Sequence, residues 1–469
     1  MATRRRVPSK FSEPSTLSSS FYTKKDDKQF SQQYANLYWL RLVVLRNRLL
    51  EKAKTKWQGN GKIQGVSTPP EHVSRLLEVK NGQLCYVLGT LYVDMPLKPN
   101  VLEDLARDHH ITAPPSREKY YSKSDEIMLE DESGRVRLVG SKILENSGKF
   151  VTGTIVACLG AETSSGDFEV FEYLYCGMPD QPNVTNNTTT SQDADKEEDD
   201  DEGEWIGLVS GLEMGNHQQV GDLRTELMAE WLNGELGLED DDDSDREEAI
   251  KVSRLILCGN SLAQPDLTLI DDNKKKRYGY DSSLYSSKPT LALDQFLSQL
   301  CTTLPVDLMP GEKDPTAPTM PQQSLHPALL PLAAGWENFN GRTNPWWFQV
   351  RNTTFLGTCG QTIDDIFKYL ESQDRLEIAQ QTLEWSHIAP TCPDTLWCYP
   401  FTDRDPFILE QTPHVYFIGN QPKFESKLIE RDDDGKKVRI ILVPKFSKTG
   451  QLVLVNSKTL NVKVVTFEA

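Results

Sequence analysis

Four glycine-centred turns in the second half of the chain have the outline of a metal-dependent hydrolytic site. They read Ser210-Gly211-Leu212-Glu213-Met214-Gly215, Gly259-Asn260-Ser261-Leu262-Ala263, Gly311-Glu312-Lys313-Asp314 and Gly419-Asn420-Gln421-Pro422. A dinuclear phosphoester hydrolase polarises phosphate and generates hydroxide between two cations. It needs ionised carboxylates and neutral imidazoles converging on those ions, in the pattern D-x-H, G-D-x-x-D, G-N-H-D and G-H-x-H. Here Gly211 and Glu213 stand in place of Asp and His, Asn260 in place of the bridging Asp, and Ala263 in place of the next acid. Glu312 and Lys313 replace Asn and His, Asn420 and Pro422 replace two histidines, and only Asp314 keeps to the pattern. An ammonium at Lys313 would repel a dication ~4 Å away by about 8 kcal/mol at an effective dielectric of 20. Asp314 and His387 cannot hold two ions by themselves. The frame without its ligands predicts no catalytic residue, no metal and no cofactor, and points to a scaffold.

Such turns require strands that end where they begin. Trp205–Val209, Val252–Cys258, Val306–Met309 and His414–Ile418 are apolar runs of strand length directly before the four turns. Sites in open α/β sheets form at those carboxyl ends, where glycine lets the backbone approach a ligand. Helices are expected from Leu223 (burying Leu223, Leu227, Met228, Trp231 and Leu232), over Leu291–Thr303 and over Arg375–Trp385, with a β-rich tail through Val438–Phe467. Residues 205–469 therefore read as one α/β domain with its sheet covered by helices.

Upstream the texture differs. Residues 1–27, rich in Ser, Thr, Lys and Arg, read as a disordered tail. Phe30, Tyr34, Leu37, Tyr38, Leu42, Leu45 and Leu49 form a helical stripe within residues 28–60. Over residues 61–178 the period becomes two: strands at Leu84–Tyr92, Phe150–Leu159 and Phe168–Tyr175, a hairpin over Glu126–Gly140, and a helical insertion near Leu102–Asp108. Five short strands suit an oligonucleotide-binding (OB) barrel, although the pattern alone fits another small β-domain nearly as well.

The formal charge of −18 is concentrated: Asp193–Glu204 carries −8 and Glu239–Glu248 carries −7. The first run lies in an expected linker, 179–204, and the second in an acidic loop, 238–249; neither has the alternating ligands of a calcium loop. No apolar run approaches the roughly 18–20 residues that cross a bilayer, and no secretory signal is read at the N-terminus. The eight scattered cysteines suit a reducing compartment. Gly215-Asn216-His217 spells G-N-H but follows the wrong strand, and no phosphate-binding loop is present.

Nine strings carry a resemblance across nearly the whole chain: FSQQYANLYWLRL (30–42), IMLEDESGRVRL (127–138), VTGTIVACLG (151–160), LVSGLEMG (208–215), VDLMPGEKDPT (306–316), PQQSLHPALLP (321–331), FLGTCGQTIDDI (355–366), CPDTLWCYPF with the following DPF (392–407), and HVYFIGNQPKF (414–424). In these the chain resembles the regulatory (B) subunits of DNA polymerase delta. The resemblance implies an OB-fold β-barrel joined to a calcineurin-like phosphoesterase α/β sandwich whose active site is lost, with Cys359 at a further position where active relatives carry histidine. It also implies a nuclear complex. Its partners would be the cysteine-rich, metal-binding C-terminal domain of the polymerase catalytic chain, a third subunit that reaches the sliding clamp, and the catalytic subunit of polymerase zeta.

Two other functions use the same residues differently. A residual phosphodiesterase or 3′–5′ exonuclease would gather one ion on Glu213, Glu312 and Asp314. A single-stranded DNA-binding barrel would stack bases on Tyr86, Tyr92, Tyr120 and Tyr121 beside basic residues. A pI near 5.0 predicts weak or indirect DNA contact. The basic runs Arg4-Arg5-Arg6 and Lys274-Lys275-Lys276-Arg277 are weak signals for nuclear entry.

Overall fold

The structure, a computed structural model, describes residues 6, 8–23, 33–58, 69–99, 117–182, 203–215, 223–236, 243–263, 287–431 and 435–468. The chain forms two compact units, one of residues 1–27, 181–361 and 413–469, the other of residues 28–180 and 362–412. Residues 362–412, expected from the sequence to continue the domain 205–469, therefore cluster with the barrel. The helical insertion near Leu102–Asp108, the Asn216-His217 pair and the run Lys274–Arg277 lie outside the described residues.

The first unit contains two six-stranded sheets. One has the order β1 (Phe11–Ser12), β12 (Trp346–Val350), β13 (Thr353–Thr358), β14 (Val415–Gln421), β16 (Lys437–Pro444), β15 (Glu425–Glu430). The other runs β11 (Phe339–Gly341), β10 (Val306–Met309), β9 (Val252–Cys258), β8 (Trp205–Val209), β17 (Gln451–Asn456), β18 (Val462–Thr466). Period-two alternation builds both cores of this unit. Ile206, Leu208, Ile256, Cys258, Val453 and Val455 meet Trp346, Phe348, Phe355, Val415, Phe417 and Ile441 between the sheets. Their neighbours Val209, Leu255, Leu257, Leu452 and Leu454 face a second core lined by α4 (Leu223–Asn233), α5 (Asp243–Lys251) and α6 (Lys288–Cys301). The parallel pairs β8–β9, β9–β10, β13–β14 and β14–β16 bring several strand ends to the same side of each sheet.

Three expectations change here. Residues 8–23 are not a disordered tail: β1 pairs antiparallel with β12, a short helix α1 (Ser15–Ser19) follows, and Phe21 is buried. Two aromatic residues, Phe11 and Phe21, and two ladder positions suffice where an edge strand offers unpaired backbone groups. The acidic loop 238–249 is helical from Asp243, because Glu, Arg and Ala are good helix formers and Ala249 packs into the core. Leu223, expected to be buried, is exposed at the start of its helix, whereas Met228, Trp231 and Leu232 are buried.

The second unit is a closed barrel. Its strands are β2 (Glu71–His72), β3 (Cys85–Asp94), β4 (Glu126–Glu130), β5 (Arg135–Val139), β6 (Ile155–Glu162) and β7 (Phe168–Leu174), in the order β2-β3-β4-β5-β7-β6 with β6 returning to β3. The β5–β7 pair is parallel, while β3–β4, β4–β5, β6–β7 and β3–β6 are antiparallel; α3 (Ser141–Glu145) lies between β5 and β6 in the chain. That is the OB topology, which strand spacing alone had left open. Helix α2 (Ala35–Trp57) lays Leu42, Leu45, Leu49, Ala53 and Trp57 on Tyr86, Leu88, Ile155 and Ala157. Helices α7 (Gln361–Tyr369) and α8 (Arg375–Glu384) and the short α9 (Phe446–Thr449) of the first unit complete the elements. Lys119 donates to the carbonyls of Phe367, Leu370 and Ser372, each at 2.8 Å, closing the open end of α7. The fold class is thus an OB barrel joined to a two-sheet α/β sandwich.

Candidate functional site

The four turns converge within the first unit, and their backbones bind one another. Gly211 N–H donates to Gly259 O at 2.9 Å, Glu213 N–H to Asn260 O at 3.0 Å, and Ala263 N–H to Met214 O at 3.0 Å. Lys313 N–H donates to Asn260 Oδ1 at 2.9 Å. Asn420 ties in the fourth turn. Its N–H donates to Ser210 Oγ at 2.8 Å, and its Nδ2 to Cys258 O at 3.1 Å and Cys359 O at 2.9 Å. Cys359 Sγ donates to Pro310 O at 2.8 Å, and burial pushes its thiol well above the ordinary range.

The glycines serve this packing. A Cβ on Gly259 would lie 2.6 Å from Gly311 Cα and 2.8 Å from Cys359 Sγ, and one on Gly311 would lie 2.3 Å from Asn260 N. The expectation that these glycines admit a ligand gives way to a simpler cause: turn meets turn with no room for a side chain. Among the described residues, six non-glycine positions have positive φ, and Glu213, Asn260 and Asn420 are three of them. Backbone strain is therefore gathered at these turns, as it is at functional sites.

At their centre is an ion cluster. Lys313 Nζ lies 2.7 Å and Lys445 Nζ 3.5 Å from Glu213 Oε1, and Ser447 Oγ donates to Glu213 Oε2 at 3.0 Å. Burial pushes the Glu213 carboxyl up; the hydrogen bond and charge of Lys313, with Lys445 and Ser447, outweigh it and hold the group below its usual range. Lys445 and Ser447 were missed in the sequence, though Lys445 directly follows β16 and the strand-end rule applies to it as well. Glu312 and Pro422 are exposed and Ala263 half-buried, so these three do not join the cluster. Nor does His387, which belongs to the other unit and pairs with Asp405 there at 2.9 Å. Among the described residues no group of three or more His, Cys, Asp or Glu is placed to hold a metal ion.

Asp314 is buried and accepts Leu262 N–H at 3.0 Å and Gly311 N–H at 2.8 Å. Burial pushes its carboxyl up to about 6, against backbone N–H donors that favour the ionised form. A carboxyl raised on folding stabilises below its unfolded pKa and loses that contribution as pH rises through 6. Relative to Asp314→Asn, the wild-type chain should lose roughly 2–3 kcal/mol between pH 4 and pH 7. Urea midpoints at pH 4.5, 6 and 7.5 test this; parallel pH profiles would contradict it.

On the barrel, Tyr86 and Tyr120 are core groups, Tyr86 against Trp57 and Tyr120 edge-on to Tyr369. Tyr92 carries the Arg135 guanidinium 4.3 Å above its ring, and Tyr121 is half-buried.

Two family models match the chain: the DNA polymerase alpha/epsilon B-subunit family over residues 206–426, and the DNA polymerase delta subunit OB-fold domain over residues 33–173. The barrel and sandwich are thus those of a class of DNA polymerase subunits. The DNA polymerase delta small subunit of Arabidopsis thaliana is 37% identical over 436 residues, covering 93% of this chain and 91% of that protein. That of Saccharomyces cerevisiae is 34% identical, with 95% and 91% covered, and the DNA polymerase delta subunit 2 of Drosophila melanogaster is 33% identical, with 96% of each covered. The chain belongs to the DNA polymerase delta small-subunit family. Among solved structures, an archaeal phosphodiesterase covers 56% of this chain and 98% of its own at 12% identity and a TM-score of 0.27, too slight a likeness to argue from.

Proposed function

We propose that this chain is a non-catalytic assembly subunit of a nuclear DNA polymerase delta complex. It holds the cysteine-rich C-terminal domain of the catalytic chain and a third subunit that leads to the sliding clamp, and it also serves polymerase zeta. Its four turns are a degenerate phosphoesterase frame kept for shape. The observation that carries this reading is the Glu213–Lys313–Lys445 cluster, where two ammonium groups share the pocket with one carboxylate. A dication there would have to displace or oppose both. The partly capped and buried tyrosines of the barrel support indirect rather than direct DNA contact.

Co-expression with a polymerase delta catalytic chain tests the assignment. A stable complex through affinity and size-exclusion steps is expected, unaffected by Glu213→Gln with Lys313→Met. A chain that stays a free monomer under all conditions, or manganese-dependent phosphodiester hydrolysis abolished by Asp314→Ala, would overturn it.

A further inference from the structure

The segment 8–23 makes a set of contacts that the packing of a tail does not require. Lys10 N–H donates to Glu204 Oε1 at 3.0 Å, and Arg351 N–H donates to Lys10 O at 2.9 Å. Phe11 and Ser12 pair with Val350 and Gln349 on the edge of β12. The Phe11 ring lies 3.9 Å below the Arg254 guanidinium and 5.9 Å from the Trp346 ring. Two residues on, Glu13 Oε1 accepts from Arg342 Nη1 at 2.6 Å and from Trp346 Nε1 at 3.0 Å. Farther along, Gln323 clamps the backbone: its Nε2 donates to Phe21 O at 3.0 Å and its Oε1 accepts Thr23 N–H at 3.2 Å.

Beneath the segment the charges do not balance without it. Asp307, fully buried, is paired with both Arg254 (2.5 Å) and Arg342 (2.7 Å). Two guanidinium groups around one carboxylate leave a surplus positive charge, which Glu13 neutralises. The body thus presents an edge strand with unpaired ladder groups, an arginine that takes an aromatic face, and an arginine–indole pair that takes a carboxylate. These are the parts of a strand-addition peptide site.

We infer that the outer edge of β12 is a peptide-binding site specific for an extended segment with an aromatic residue followed two positions later by a carboxylate. Phe11-Ser12-Glu13 of the same chain occupies it. The occupant is held by side-chain recognition as well as by chain connectivity, so the same segment of another copy can replace it.

The full-length chain with a protease site placed within residues 24–32, cut after folding, tests this. The arm should remain bound after cleavage and exchange with a labelled synthetic peptide of residues 6–23. Peptides with Phe11→Ala or Glu13→Gln should bind at least about tenfold more weakly, the scale of a lost charge-assisted or cation–π contact. Release of the wild-type arm on cutting, or equal binding of all three peptides, overturns the inference. Hydrogen exchange on the uncut chain gives an independent reading. Phe11→Ala with Glu13→Gln should speed exchange at Gln349 and at Arg351, whose N–H donates to Lys10 O, while β14 stays protected; unchanged protection at these two amides also overturns it.

Discussion

Arg41→Ala should destabilise the barrel unit by about 3–5 kcal/mol, the cost of stranding one member of a buried ion pair. Arg41 sits on α2 with its side chain fully buried. Its Nε donates to Asp405 Oδ2 at 2.8 Å, its Nη1 to Pro390 O at 2.8 Å and Gly153 O at 3.3 Å, and its Nη2 to Cys392 O at 2.9 Å. One guanidinium thus joins the helix, the barrel and the 387–412 segment. Burial pushes the Asp405 carboxyl up, and Arg41 and His387 more than reverse it, holding it far below the usual range. Burial, with Arg41 nearby, lowers His387 to about 4 despite Asp405, so beside Arg41 the imidazole is neutral and Arg41 is the charge that balances Asp405. Arg41→Lys should recover only part of the loss, since one ammonium cannot reach the spread of acceptors that the planar fork serves. Urea unfolding followed by tryptophan fluorescence measures both; a loss under about 1 kcal/mol for Arg41→Ala, the scale of an exposed pair, would contradict the network.

The second large effect is expected at Gly259→Ala. This residue has φ of +71°, which costs an L-residue about 1–2 kcal/mol. The new methyl would also meet Gly311 Cα and N at 2.6 Å, backbone that cannot swing aside, adding overpacking of about 1–3 kcal/mol. A loss of about 3 kcal/mol with no other substitution would show that the turns hold each other. A stable Gly259→Ala chain, folded like the wild type, would mean that glycine is kept there for a ligand instead.

How far the sequence reached follows from the range of each interaction. The hairpin β4–β5, the strands β8, β9 and β10 and the stripe on α2 were legible because period and turn chemistry are local. The place of the first three turns just beyond β8, β9 and β10 was legible too, whereas Gly419, Asn420 and Gln421 of the fourth lie within β14 itself. Lys445 and Ser447 were not legible, because nothing local ties them to Glu213; Ser447 lies 234 positions from it in the chain. The same holds for Arg41 and Asp405, which are 364 positions apart. Residues 8–23 misled for another reason: few apolar side chains suggest disorder, yet their order comes from backbone pairing, the rings of Phe11 and Phe21 and one carboxylate. Residues 362–412 carry helical and turn signals that say nothing about which core they join.

The account rests on the Glu213–Lys313–Lys445 cluster excluding paired cations from the turns. Elemental analysis of the isolated chain, dialysed against manganese, iron or zinc and then freed of loosely held ions, addresses this directly. Far less than one ion per chain is expected, unchanged in Asp314→Ala. Two tightly held ions per chain, lost together in that variant, would contradict it.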